Sequence, residues 1–254
     1  MNKITKISFE SGNKNLPKQC HKLDNEKRSE VAHNVIAMVP VRAGSTRVPD
    51  KNIRSFGDTN LLQLKLNLLK KVEGIKQIIV STDCEISAGI ACKEGVNVQW
   101  RNEYFAGSTV TNDQHWHHIA ETAPGNTIFL AQVTSPLLRV SSMQAALNSF
   151  LSLDKNDSIN SVSTEKKFLW KNGNPINYDI DVTPKSQDLP EIVSLNFAIT
   201  IISRRIMMER KNVVGQAPKF FELDKVESID VDDFIDFKIA ELLYEERGVE
   251  WLMQ

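Results

Sequence analysis

An uninterrupted apolar run, Val35-Ile36-Ala37-Met38-Val39-Pro40-Val41, passes directly into a polar loop that gathers Arg42, Arg47 and Lys51 around Gly44 and Ser45. An apolar stretch without alternation is the pattern of a strand covered on both faces, so the chain must supply a layer above it and another below. The loop is suited to an anion. Gly44 lets the backbone approach a ligand, neighbouring amides can point at its oxygens, and the cations supply charge. Phosphate is the natural guest. The spacing excludes a Walker A loop, because Asp50 precedes Lys51 and Asn52 follows it, and no G-x-G-x-x-G is present.

The remaining pattern supplies those layers. Asn60, with Gln63 three residues on, can cap a leucine-rich helix that stops near Gly74. Ile75 to Ser81 reads as a second buried strand ending in Thr82-Asp83. Glu85 to Glu94 reads as a helix stopped by Gly95, and Val96 to Trp100 as a third strand. This rhythm predicts a parallel sheet with helices on both faces. A helix over 113–121, a strand from Thr127 to Val133 and a helix capped by Ser141 and Gln144 continue it. After about residue 155 the alternation changes. Ile159 to Ser163, the Asn172-Gly173 pair and the polar run to Lys185 predict shorter, partly antiparallel strands. Leu195 to Ile202 and Lys219 to Leu223 read as late strands, and a helix from about Asp233 to Arg247 closes the chain. Residues 1–33 are polar and lysine-rich without a consistent apolar face, which separates a polar extension from a domain over 34–254, with inserted strands at about 158–192.

A net charge of −1 gives no electrostatic reason to expect nucleic acid or an anionic membrane as partner, so any anion site is local. No apolar run reaches the roughly 18 residues that span a bilayer. Cys20, Cys84 and Cys92 form no C-x-x-C and read as reduced thiols of a cytoplasmic protein.

Four motifs in order resemble the CMP-sialic acid synthetases (acylneuraminate cytidylyltransferases). Arg42, Ser45, Pro49, Lys51 and Asn52 fit that family's R-x-x-S-x-x-x-P-x-K-N, and Ser81-Thr82-Asp83 fits its S-T-D. Gln132-Val133-Thr134-Ser135-Pro136-Leu137 fits Q-x-T-S-P-L, and Asp230-Val231-Asp232 fits a late D-x-D. The resemblance implies an α/β, Rossmann-like three-layer nucleotidyltransferase fold, with a mostly parallel central sheet and a small antiparallel dimerisation excursion. It also implies an enzyme that joins CTP to a nine-carbon 2-keto-3-deoxy sugar acid, releasing pyrophosphate, and works as a homodimer.

The implied roles follow. Arg42 and Lys51 are expected on the triphosphate as catalytic cations, aided by Ala43, Gly44, Ser45 and Asn52. Asp83, Arg101, Ser108, Gln132, Thr134 and Ser135 are expected substrate contacts. Asp230 and Asp232 are expected to hold Mg2+, with Asp232 also counted as catalytic. Asp230 and Asp232 alternate with Val231, so on an extended segment both carboxylates point the same way, whereas the D-x-D taken alone favours Asp232 or Asp233 as N-cap of the last helix. His115, His117 and His118 surround Trp116 without metal-ligand spacing and read as packing or substrate-facing residues. The family's R-x-N-G-A-I-Y strand is altered to Ser194-Leu195-Asn196-Phe197-Ala198-Ile199-Thr200, which removes an arginine clamp for a carboxylate. Ser45-Thr46-Arg47-Val48-Pro49 also resembles the synthetases acting on eight-carbon keto-deoxy acids. An eight-carbon acceptor, another sugar nucleotidyltransferase and a non-catalytic nucleotide-binding homologue therefore remain alternatives.

Overall fold

The computed structural model describes residues 33–107, 109–152 and 157–254. The polar extension, apart from its last residue, lies outside these, as do Ser108 and Cys20. Seven strands build the main sheet: β1 (Val35–Val41), β2 (Ile75–Thr82), β3 (Asn97–Trp100), β4 (Thr127–Leu130), β5 (Ser158–Glu165), β6 (Ile192–Ser203) and β7 (Pro218–Glu222). Their order is β7-β5-β6-β4-β1-β2-β3. All neighbours pair in parallel except β6, which is antiparallel to both β4 and β5. Around them lie α1 (Leu61–Leu69), α2 (Glu85–Lys93), α3 (Asn112–Thr122), α4 (Val140–Leu151), α5 (Arg204–Arg210) and α6 (Phe234–Met253).

The unbroken apolar run of β1 becomes two cores through strand periodicity. Val35, Ala37, Val39 and Val41 face one way, into a core shared with α1, α2, α4 and α6. Ile36 and Met38 face the other way, against Ile119 and Ala120 of α3 and Met207 of α5. A two-residue repeat inserted between two helical layers requires this division. The three-layer reading of the sequence is therefore correct.

Tertiary partners override two local signals. Asn60 caps α1 as expected, its side chain accepting from the Gln63 amide at 2.9 Å. The box expected at Ser141 and Gln144 does not form. Glu227 accepts from the Arg139 amide at 2.9 Å and from its guanidinium at 2.6 Å, which sets α4 to begin at Val140. Gln144 instead bonds the backbone of Glu73. Cys84 is a free thiol.

The antiparallel excursion grows out of the sheet rather than standing apart from it. Ser158 and Asn160 pair with Ile202 and Thr200 inside the sheet, while Val162–Glu165 and Ile192–Leu195 continue as a ribbon beyond it. Past the ribbon, Trp170–Lys171 pairs with Asn174–Pro175. Asn172 and Gly173 take φ of 51° and 79°, as a two-residue hairpin turn requires.

Register brings the functional loops together. Val41 lies beside Thr82, Thr82 beside Trp100, and Met38 beside Leu130. The segments leaving β1, β2, β3 and β4 therefore leave along one sheet edge, where ligands of open α/β sheets collect.

Candidate active site

Three adjoining cavities open along that edge. One, of about 370 Å³, is lined by Arg42, Arg101, Phe105, His115, Trp116 and Gln132 among others. A smaller one, of about 180 Å³, is lined by Arg42, Ser45, Arg47, Lys51, Asn52 and Asp232, together with Gln132 and Thr134. The third, of about 480 Å³, is lined by Asn112, Trp116, Gln132, Thr134, Phe197 and Asp230 among others. Gln132 borders all three. A side-chain amide carries both donors and an acceptor, so at this junction it can serve ligand groups on either side.

The small cavity is the cationic one. Gly44 adopts φ +72°, a left-handed conformation that glycine takes without strain. The Asp83 carboxylate accepts from the Ala43 amide at 2.9 Å and so fastens the loop to the end of β2. Asp83 thus anchors the loop and does not cap α2, whose N-cap is Cys84. The Ala43 amide, expected on substrate, is already committed. The Asn52 carbonyl accepts from the Leu62 amide, which joins the loop to α1.

Across the cavity stands the D-x-D. Lys51 Nζ donates to the Val231 carbonyl at 2.6 Å, and Arg47 lies 3.1 Å from Asp232. The Val231 amide donates to the Thr134 carbonyl at 2.8 Å, and the Thr134 side chain bonds Asp230. Burial pushes the Asp230 carboxyl up against that bond, and neighbouring Asp232 pushes it further. Burial likewise lowers the Lys51 amine, opposed by Asp230 and Asp232. Cationic loop and acid pair therefore converge, as the sequence reading requires.

The alternative cap reading falls to a neighbour. Asp233 is the N-cap of α6, accepting from the Ile235 and Asp236 amides, and Asp236 completes the box. The Asp232 carboxylate, not used as a cap, borders the small cavity in its pair with Arg47. Asp230 lines the third cavity and Asp232 the small one, on either side of the Gln132 and Thr134 that both cavities share; carboxylates are oxygen ligands of the kind a hard divalent cation takes. Among the described residues no cluster of three or more potential ligands exists.

Two expected contacts are placed differently. Ser135 is buried and lines none of these cavities; its carbonyl accepts from Lys65 at 2.8 Å. Arg101 is buried with its guanidinium on the Ser81 carbonyl at 2.6 Å, and burial brings its pKa down to about 10. It still lines the first cavity together with Arg42. Burial and the adjacent Arg101 hold His115 near a pKa of about 4, so its ring is neutral in the first cavity. His118 stacks on Phe105 at 3.9 Å, a packing role. Sequence reasoning passed over Arg47 as a partner of Asp232, and over Asn112, Trp116 and Phe197. The Thr111-x-x-Gln114 capping box that starts α3 was legible and would have marked Asn112. Phe197 stands where the family's R-x-N-G-A-I-Y strand carries glycine, a departure visible in the sequence.

The cytidylyltransferase family model matches residues 36–196. Post-translational flagellin modification protein B of Campylobacter coli is 23% identical over 85% of this chain and 97% of its own length. N-acylneuraminate cytidylyltransferase of Escherichia coli is 25% identical over 81% of this chain, which spans only 51% of that relative. Among solved structures, CMP:2-keto-3-deoxy-manno-octonic acid synthetase complexed with CTP superposes with a TM-score of 0.65 at 12% identity, covering 85% of this chain and all of the other. At that identity the likeness shows the fold. Because that family model spans more than half of the chain and most of the described sheet, the chain belongs to the cytidylyltransferase family.

Proposed function

We propose that this enzyme transfers CMP from CTP to a nine-carbon, sialic acid-like 2-keto-3-deoxy sugar acid, releasing pyrophosphate. The observation that carries this reading is the junction at Gln132. It separates a cavity suited to a nucleoside, a cationic cavity suited to a triphosphate, and a larger neutral-to-acidic cavity suited to an acceptor. In the reaction the acceptor's anomeric hydroxyl attacks the α-phosphorus, the bond to the bridging oxygen breaks, and pyrophosphate leaves. Arg42, Arg47 and Lys51 would hold the triphosphate and offset charge growing on the leaving oxygens. Ser45 and Asn52 would add neutral hydrogen bonds.

Asp230 and Asp232 would hold Mg2+, which when bound supplies charge neutralisation for the phosphates. Thr134 positions Asp230, and Lys51 steadies the strand between the two acids. The exposed Phe168, Trp170, Ile176, Ile180 and Val182 on the excursion support a homodimer joined there. Among the described residues no helix is long and apolar enough to cross a membrane, and we place the enzyme in the cytoplasm, beside its CTP supply.

A second reading has one observation in its favour. Among the described residues no lysine, arginine or histidine lines the third cavity, and Ser194, where the family carries arginine, is turned to Glu165 at 2.9 Å. A nucleotide-binding homologue without acceptor chemistry would look this way. Pyrophosphate release from CTP, assayed with nine- and eight-carbon keto-deoxy acids and with sugar 1-phosphates, separates the readings. Release with a nine-carbon acid is expected. CTP binding without release from any acceptor would establish the inert homologue.

A further inference from the structure

Lys65 is out of keeping with its helix. Every other buried residue of α1 is a leucine, and Lys65, only 1% exposed, stands among them. An ammonium group taken out of water is costly unless it is paired, and burial lowers the Lys65 amine accordingly. An apolar side chain would fill the same core without that cost. Among the described residues the ammonium has one hydrogen-bond acceptor, the Ser135 carbonyl at 2.8 Å.

That bond leads to the acid pair. The Ser135 hydroxyl is buried without a hydrogen-bond partner among the described residues, so its side chain does not fix the segment. The residue before it, Thr134, is tied to the D-x-D twice. Its carbonyl accepts from the Val231 amide at 2.8 Å, and its side chain bonds Asp230. Lys51 Nζ reaches the same stretch from the loop after β1, donating to the Val231 carbonyl at 2.6 Å. Each lysine bonds a backbone carbonyl, and among the described residues neither bonds a carboxylate.

We propose that Lys65 is a positioning residue for the acid pair: through the Ser135 carbonyl it holds Thr134, and Thr134 sets where Asp230 and Val231 stand. A buried charge is kept in a leucine core because the carbonyl it grips lies one residue from the support of the D-x-D. This rests on the reading of Asp230 and Asp232 as Mg2+ ligands given above. Groups that orient metal ligands from behind change metal affinity by about 10–100-fold when they are removed.

Lys65→Met in the full chain keeps the apolar stem and removes the ammonium. With CTP present and no acceptor, binding of Mn2+ as the probe, read by electron paramagnetic resonance, should weaken about tenfold. Amide exchange over 230–232, measured without metal, should quicken while the rest of the sheet keeps its protection. The melting temperature should not fall, because losing a buried charge offsets losing one hydrogen bond. Lys65→Leu, which matches the neighbouring side chains, carries the same readings where Lys65→Met does not fold. A lower melting temperature with Mn2+ affinity and exchange unchanged would make Lys65 a packing residue and overturn the proposal. Exchange quickened throughout the sheet would do the same. A wild-type chain that binds CTP but no Mn2+ overturns the metal reading and this proposal together. Mn2+ binding in the wild type that Lys65→Met leaves intact overturns this one alone.

Discussion

Arg47 and Asp232, separated by most of the domain in sequence, meet at 3.1 Å across the mouth of the cationic cavity. Both side chains are more than half exposed, so water screens the pair and it adds little to stability, about 0–1 kcal/mol. A guanidinium on a loop that borders a phosphate-sized cavity has another partner available. Arg47→Ala should leave the melting temperature nearly unchanged and raise KM for CTP about tenfold. A thermal melt and a pyrophosphate-release titration check both halves, and a large drop in melting temperature with unchanged KM would make the contact structural.

The two acids that follow one another at the start of α6 have divided roles, and mutation should separate them. Asp232→Asn should abolish Mg2+-dependent turnover while the fold survives, because the cap is held next door. Asp233→Ala should do the reverse, lowering stability by about 1 kcal/mol through loss of the cap and leaving turnover intact. Urea unfolding beside a magnesium titration of activity reads both, and loss of turnover in Asp233→Ala alone would reassign the ligand.

Asp83 acts through the loop. Removing its carboxylate leaves the Ala43 amide, now bonded at 2.9 Å, without that partner, and frees the backbone around Gly44. Asp83→Ala should raise KM for CTP with a smaller effect on kcat, and Asp83→Asn, which keeps an acceptor oxygen, should recover most of the affinity. Equal defects in the two variants would point to a charge requirement instead of a geometric one.

Lys65 is fully buried on α1 and donates to the Ser135 carbonyl, and burial brings its pKa down to about 7. Between pH 7 and about 10 the unfolded chain keeps that proton and the folded chain releases it. The unfolded state then binds more protons, so stability rises with pH across this window. Lys65→Met should flatten the rise, as read by urea midpoints at pH 7 and pH 9.5. A slope that persists in the variant would place the titrating group elsewhere.

The sequence by itself determined the layers and the site's poles. The apolar run of β1 demanded cover on both sides, the strand-helix rhythm to Trp100 gave parallel pairing, and the cation loop and D-x-D carried charges that had no use in a core. These are local properties, set by side-chain period and residue chemistry. Tertiary structure decided the rest. Ser135 turned inward because Lys65 claimed its carbonyl. Phe197 reached the cavity because Ser161 and Ser163, on a strand more than thirty residues earlier, hold Asn196 and its bulge in place. Each of these outcomes depends on a partner distant in the chain, and local propensity contains no information about which partner arrives.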